Sequence, residues 1–191
     1  RLLKACDVVI LSDYGKGVCT PRLLQAAIEA ANRAGVPVLV DPSRTGALEH
    51  YRGATLIKPN RLEAEVVTGR KIVKAGDAVA AGGQLCRDLD ARMALITLDR
   101  DGMILVTRDG AGEAFPTNAR AVYDITGAGD MLLATLGLCL AAGVSPEQAV
   151  QLANISGGLE VEQPGVVVLT RDEIRADILA ASQAGGFKIG N

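Results

Sequence analysis

The chain has 191 residues, enough for one domain, and is 49% hydrophobic but only 3% aromatic, with no Trp. Its core must therefore be Leu, Val, Ile and Ala, which suits an α/β protein whose parallel strands are buried on both faces. A net charge of −2 without any basic run argues against a nucleic-acid surface, and the longest apolar run, Met131 to Ala142, is well short of the roughly 20 residues needed to span a membrane.

The first apolar run, Asp7 to Ser12, reads as a buried strand that ends in a polar loop, Asp13-Tyr-Gly-Lys-Gly17. Thr20 caps a helix with Pro21 at its first position, running to Ala34 and stopped by Gly35. Val36 to Val40 is the next strand, closed by Asp41-Pro42, and a loop with one helical turn covers residues 43–53. Thr55 to Lys58 makes a third strand, and Pro59-Asn60 leads into a helix from Arg61 to Thr68. Residues 76–89 predict another helix and Met93 to Thr97 a fourth strand. Gly102 to Thr107 and Gly112 to Phe115 predict a hairpin around Asp109-Gly110. A helix is expected over 128–142, ending at Gly143. Ser145 and Thr170 open capping-box helices reaching Glu160 and Ala184. Strands alternating with helices imply a mainly parallel sheet covered on both faces.

The four cysteines, Cys6, Cys19, Cys86 and Cys139, form no C-x-x-C pair, and three lie in apolar or helical patterns, which predicts buried free thiols in a reducing compartment. The single His, His50, predicts an exposed loop residue; it rules out a Ser-His-Asp arrangement unless it serves, and leaves little for zinc. The opening Arg-Leu-Leu-Lys-Ala-Cys-Asp runs into a strand without a signal-peptide layout, so a soluble cytoplasmic protein is expected.

The stretch Asp124-Ile-Thr-Gly-Ala-Gly-Asp130, just before an apolar helix, holds the most chemistry. Gly127 and Gly129 allow a tight turn that bares successive N–H groups at a helix N-terminus, where an anion is favoured. Asp130 falls in the first helical turn, beside that anion. An anion cradle edged by a carboxylate suits phosphoryl transfer to a hydroxyl, the Asp accepting the alcohol's proton. The bland alternative is a common glycine turn with a dipole-stabilising Asp. A dinucleotide fingerprint is weaker, because the third Gly is replaced by Leu132.

Context favours the first reading. The strands end in polar groups: Asp13 and Lys16, Asp41, Asn60 and Glu63, Thr97 and Asp99. In open α/β sheets ligands lie outside the carboxyl ends of the strands, so these groups should converge near residues 127–130. Each could be turn chemistry alone. Asn60 and Glu63 could be a capping box, or could serve nucleotide phosphates and hydrated Mg²⁺, and the two roles are compatible. Arg44 and Arg120 are further candidate anion contacts.

Together these motifs resemble the ribokinase-like (PfkB) carbohydrate kinases. Asp124 to Asp130 is similar to their C-terminal signature and Asn60-Arg61-Leu62-Glu63 to their Asn-x-x-Glu motif. Leu11 to Gly17, Val40-Asp-Pro42 and Tyr51 to Asn60 look most like the heptose 7-phosphate kinases of lipopolysaccharide-core precursor synthesis. The resemblance implies a three-layer α/β/α ribokinase-like fold, with residues 1–191 as the C-terminal portion of the kinase domain and the sheet incomplete at its N-terminal side.

It also implies roles. Asp130 would be the base, and the amides of Gly127, Ala128 and Gly129 the anion hole. Asn60, Arg61, Leu62 and Glu63 would serve ATP, with Glu63 holding Mg²⁺ through water. Thr97, Gly102 and Asn154 would border the nucleotide, and Asp124 and Thr126 would begin a K⁺ loop. Asp13, Lys16 and Asp41 would meet the sugar phosphate, Lys16 binding its 7-phosphate as a point charge. No nucleic-acid or membrane partner is implied, and a homodimer is expected of the full-length protein. Another sugar or nucleoside kinase, or a nucleotide-binding fragment without catalysis, are the alternatives. Three departures stand out: Ser43 replaces the usual Lys of Asp-Pro-Lys, Asp99 makes the nucleotide edge more acidic, and the chain is shorter than the family's about 300 residues. An exposed sheet edge, and with it self-association, is expected of such a chain.

Overall fold

A computed structural model describes residues 2–44, 47–117 and 126–183. Six strands follow one another across a single sheet in chain order. They are β1 (Val9–Ser12), β2 (Val38–Asp41), β3 (Leu56–Ile57), β4 (Met93–Thr97), β5 (Met103–Thr107) and β6 (Gly112–Phe115). β1 to β4 pair in parallel; β5–β6 is antiparallel, as the hairpin at Asp109-Gly110 requires, and β4–β5 is antiparallel too, through the tight turn at Asp99–Asp101. The helices are α1 (Pro21–Ala34), α2 (Arg61–Thr68), α3 (Ala75–Asp88), α4 (Ala128–Ala141), α5 (Pro146–Glu160) and α6 (Arg171–Gln183).

Strand periodicity divides the core in two. Val38, Val40, Ile57, Ala94, Ile96, Ile104 and Val106 face one layer with Leu24, Ile28, Ala81 and Leu85 of α1 and α3. Their neighbours Leu39, Leu56, Leu95, Met103 and Leu105 face the other, with Leu132, Leu133, Leu136 and Ala153 of α4 and α5. Successive strand side chains point to opposite faces, so a sheet covered on both sides needs continuous apolar strands.

Local signals set the helix ends. Thr20 Oγ1 accepts from Leu23 N at 3.3 Å, Pro21 opens α1, and Gly35 closes it in the left-handed conformation. The expected helical turn in residues 43–53 is a 3₁₀ segment, Leu48–Tyr51, which half-buries His50 rather than exposing it. Two further 3₁₀ segments, Leu2–Ala5 and Asp99–Asp101, have no periodicity long enough to announce them. Of the cysteines only Cys86 is buried; Cys19 and Cys139 are intermediate and Cys6 is exposed. The expectation of three buried thiols fails because Cys19 follows a loop and Cys139, though packed against the core, is only partly covered. Among the described residues, no helix is long and apolar enough to cross a membrane.

β1 lies at one edge of the sheet, with Ile10 39% exposed and Leu138 of α4 70% exposed. An open edge beside apolar side chains templates pairing with another chain. Sedimentation at rising concentration should therefore show this chain self-associating; a single monomeric species throughout would count against that expectation.

Candidate active site

The glycine turn forms as the sequence predicts. Gly127 is the N-cap of α4, with φ 95°, and the helical ladder begins with Met131 N donating to Gly127 O at 2.9 Å. The N–H groups of residues 128–130 precede that ladder and are the helix's orphan donors. A Cβ on Gly127 would stand 2.3 Å from Oε1 of the buried Glu160, so both the backbone conformation and the space demand glycine.

Asp130 points back to the end of β1. Its Oδ1 accepts from Ser12 Oγ at 3.0 Å, and its Oδ2 accepts from the Tyr14 hydroxyl. The Tyr14 phenol is raised above its ordinary value, first by that hydrogen bond, then by burial and by the Asp130 charge. Asp13 anchors this loop: Oδ1 accepts from Gly15 N at 2.8 Å and Oδ2 from the Tyr51 hydroxyl at 2.7 Å. Tyr51 is buried and also accepts from Ser43 N at 3.2 Å, so the loop is tied to the core.

Beneath the cradle lies an ion pair. Lys58 Nζ is 2.9 Å from Asp41 Oδ2, the Lys side chain 5% exposed and the Asp 23%. A Cβ on Gly129 would lie 3.5 Å from Lys58 Nζ and 3.8 Å from Asp41 Oδ2. The pair therefore sits within about one atom's reach of the glycine loop. Burial pushes the Asp41 carboxyl above the carboxylate range; Lys58 pulls it down, and the charges of Glu63 and Asp130 push it up again. Ser12, Asp13, Tyr14, Asp41, Glu63 and Asp130 share one open cleft of about 450 Å³. The cleft lies at the carboxyl ends of β1 and β2, as expected for an α/β sheet.

Asn60 and Glu63 form a complete capping box on α2. Glu63 N donates to Asn60 Oδ1, and Asn60 N to Glu63 Oε2, both at 2.9 Å. Glu63 Oε1 meets Arg44 Nε at 3.3 Å. Arg61 braces neighbouring segments: it donates to Ile72 O at 2.8 Å and Leu98 O at 3.0 Å, and pairs with Asp101 at 2.5 Å and Asp99 at 3.6 Å. The acidic turn that departed from the family pattern is thus partly neutralised. Leu62 is 55% exposed and borders a cavity of about 60 Å³ with Leu48 and Val66, which adjoins the cleft through Pro42, Ser43, Arg44 and Glu63.

Thr97 bridges to Asn60 across the sheet end. Gly102 is buried against the exit of β6, and Asn154 Nδ2 donates to Pro116 O at 2.9 Å in the same region. Thr97, Gly102 and Asn154 do not line the 450 Å³ cleft, and nor does Lys16, which is exposed and forms no ion pair among the described residues. Thr126 begins the exposed turn before Gly127, whereas Asp124 and Arg120 lie outside the described residues. Among the described residues, no group of three or more His, Cys, Asp or Glu could hold a metal directly.

Sequence reading missed Lys58, Tyr14, Ser12 and Tyr51. Only Lys58 carried a signal: a lysine ending an apolar strand must find a buried partner.

Residues 1–172 match the family described as pfkB family carbohydrate kinase. The bifunctional protein HldE of Caulobacter sp. (strain K31) is 50% identical over 175 residues, covering 90% of this chain and 35% of that protein. HldE of Alcanivorax borkumensis is 46% identical over 183 residues, covering 95% and 37%. The chain thus spans little more than a third of these relatives. In fold it is similar to Arabidopsis thaliana ribokinase complexed with ribose and ATP, with a TM-score of 0.81 at 21% identity, over 92% of this chain and 57% of that one. It is also similar to Escherichia coli phosphofructokinase-2 in complex with potassium, with a TM-score of 0.78 at 21% identity, covering 92% and 57%.

Proposed function

The chain belongs to the pfkB family of carbohydrate kinases, and we propose that it transfers the γ-phosphoryl group of ATP to the anomeric hydroxyl of D-glycero-D-manno-heptose 7-phosphate. The observation that carries the transfer is Asp130 in the first turn of α4, directly after the Gly127 turn and facing a cleft. The sugar oxygen bonds to the γ-phosphorus as the bond to the β-phosphate oxygen breaks, ADP leaves, and Asp130 takes the hydroxyl proton. The amides of Gly127, Ala128 and Gly129 receive the migrating phosphoryl oxygens.

The residues present fit an anionic phosphoryl group, since the space a Cβ on Gly129 would fill adjoins the Lys58 ammonium. They fit Mg²⁺ through water only: both Glu63 oxygens already accept hydrogen bonds, and a hydrated Mg²⁺ keeps several waters. Mg²⁺ supplies charge neutralisation on the phosphate oxygens. Asn60, Arg61, Leu62, Thr97, Gly102 and Asn154 form the nucleotide side, with Arg61 and Asn154 acting through backbone they hold. Asp124 and Thr126 would take K⁺.

The heptose reading is supported by the HldE relatives at 40–50% identity and by the motifs around Asp13 and Asp41. Lys16, exposed beside the cleft's Tyr14, is the cation for the 7-phosphate. In this reading residues 1–191 form the C-terminal portion of the kinase domain of a cytoplasmic protein that is a homodimer at full length.

The test is ADP release from ATP, Mg²⁺ and K⁺ with D-glycero-D-manno-heptose 7-phosphate, using this chain beside a version extended at its N-terminus. Sugar-dependent turnover should appear, and Asp130→Asn should lower it by about 10²–10⁴-fold while ATP still binds. Equal turnover with ribose or fructose 6-phosphate would replace the substrate, and an active Asp130→Asn would remove the base.

A further inference from the structure

Each carboxylate oxygen of Asp130 is already hydrogen-bonded before any substrate arrives. One carboxylate oxygen accepts from Ser12, at the end of β1, and the other from Tyr14, two residues on. The two donors differ in setting. Ser12 sits within the parallel pairing of β1 with β2, opposite Asp41. Tyr14 is 67% exposed, in a loop whose neighbours Gly15 and Gly17 have φ of 65° and 87°. Asp13 fastens the backbone on both sides of Tyr14, accepting from Gly15 N and from the buried Tyr51. The exposed ring between them is held at its tip by Asp130, so it can swing away when that one bond is replaced.

We infer that Tyr14 is a positioning residue that occupies Oδ2 of Asp130 until the acceptor hydroxyl takes its place, denying the base to water while no sugar is bound. The inference rests on the kinase reading above. A sugar hydroxyl must approach Asp130 as a donor, and the Tyr14 ring and hydroxyl fill one of the two acceptor positions of Oδ2 on the cleft side, so a hydroxyl arriving at that position must displace Tyr14. Water competes for the same place. Attack by water would break the same bond of ATP, give ADP and phosphate, and leave its proton on Asp130. A phenol anchored through the chain reaches the carboxylate at a high effective concentration, and so outcompetes single waters. A sugar held by many contacts can displace it. The raised phenol keeps Tyr14 protonated, and therefore a donor, across the neutral range.

The experiment uses the protein assayed above. Tyrosinate absorbance against pH, in the wild type, Tyr14→Phe and Asp130→Asn, first tests the contact. Asp130→Asn should move the Tyr14 titration down towards an ordinary phenol, and an unmoved titration would overturn the inference. ADP release is then measured without sugar and across sugar concentrations. In Tyr14→Phe the ratio of sugar-free to sugar-dependent turnover should rise on the order of tenfold, with a lower sugar KM because the competing donor is gone. A merely structural Tyr14 would lower both rates together and leave the ratio unchanged, which would also overturn the inference. If the wild type turns over no ATP with any sugar, the kinase reading fails and takes this one with it. A normal sugar-dependent rate with an unchanged ratio removes only the role of Tyr14.

Discussion

Lys58→Met should destabilise the protein by about 3 kcal/mol at pH 8, because it leaves the largely buried Asp41 carboxylate at the cleft wall without its cation. Lys58 is 4% exposed, and its ammonium is the ion-pair partner of Asp41 at 2.9 Å. The Asp41 carboxyl is already pushed above the ordinary range, chiefly by burial, with Glu63 and Asp130 adding to it and Lys58 opposing. Removing Lys58 leaves only influences that raise it. A carboxyl that binds its proton more tightly folded than unfolded stabilises the fold at low pH, and that stability is lost as pH rises through the folded value. The deficit of Lys58→Met should therefore be largest at pH 8 and shrink at pH 5, as Asp41 takes up its proton. Urea unfolding at the two pH values reads this directly. Adding Asp41→Asn should recover most of the loss, since a neutral amide needs no cation. A deficit that stays constant with pH, or survives Asp41→Asn, would mean that Lys58 acts by packing its stem.

Gly102→Ala should cost about 3 kcal/mol or more, the largest effect expected from adding a single methyl group. Gly102 has φ 90° and ψ −136°, a region almost closed to residues with a Cβ. Its Cβ would meet Phe115 O at 2.1 Å, Pro116 Cα at 2.8 Å and Thr117 N at 2.8 Å, all backbone atoms that no rotamer change can move. Gly110 provides the control: its φ is also 90°, but no atom lies within 4 Å of its Cβ position. Gly110→Ala should therefore show backbone strain alone, on the order of 1 kcal/mol. The difference between the two variants, from denaturation midpoints, isolates the collision with the β6 exit. Equal costs would show that this exit yields freely.

The regular elements were legible because their signals are local. Thr20-Pro21 and Gly35 bound α1, Asn60 and Glu63 start α2, and continuous apolar runs mark β2 and β4, so their limits fall within a residue or two of expectation. Gly127 to Asp130 was legible for the same reason, since its turn, amides and carboxylate are contiguous. What could not be read joins residues far apart in the chain. Tyr14 and Asp130 are separated by 116 positions and Ser12 and Asp130 by 118, and no spacing rule spans such gaps. Arg61 shows the same limit: its motif suggested the nucleotide, but no spacing rule announces that two carbonyls and two aspartates from other segments hold its guanidinium.

Strand order follows chain order from β1 to β6, yet α4 turns back to pack on β1 and β2. During synthesis each strand can join its predecessor as it emerges, since neighbours in the chain are neighbours in the sheet. The Asp130 carboxylate cannot meet its partners so early, because Ser12 and Tyr14 lie in and just after β1 and wait for α4, which follows β6. Amide exchange in a refolding chain should therefore protect β2 to β5 early, and Asp130 should find Ser12 and Tyr14 only late. In the proposed kinase, a chain halted after β6 would hold all six described strands but not Asp130, so the sheet is complete before the residue that would spend ATP is made.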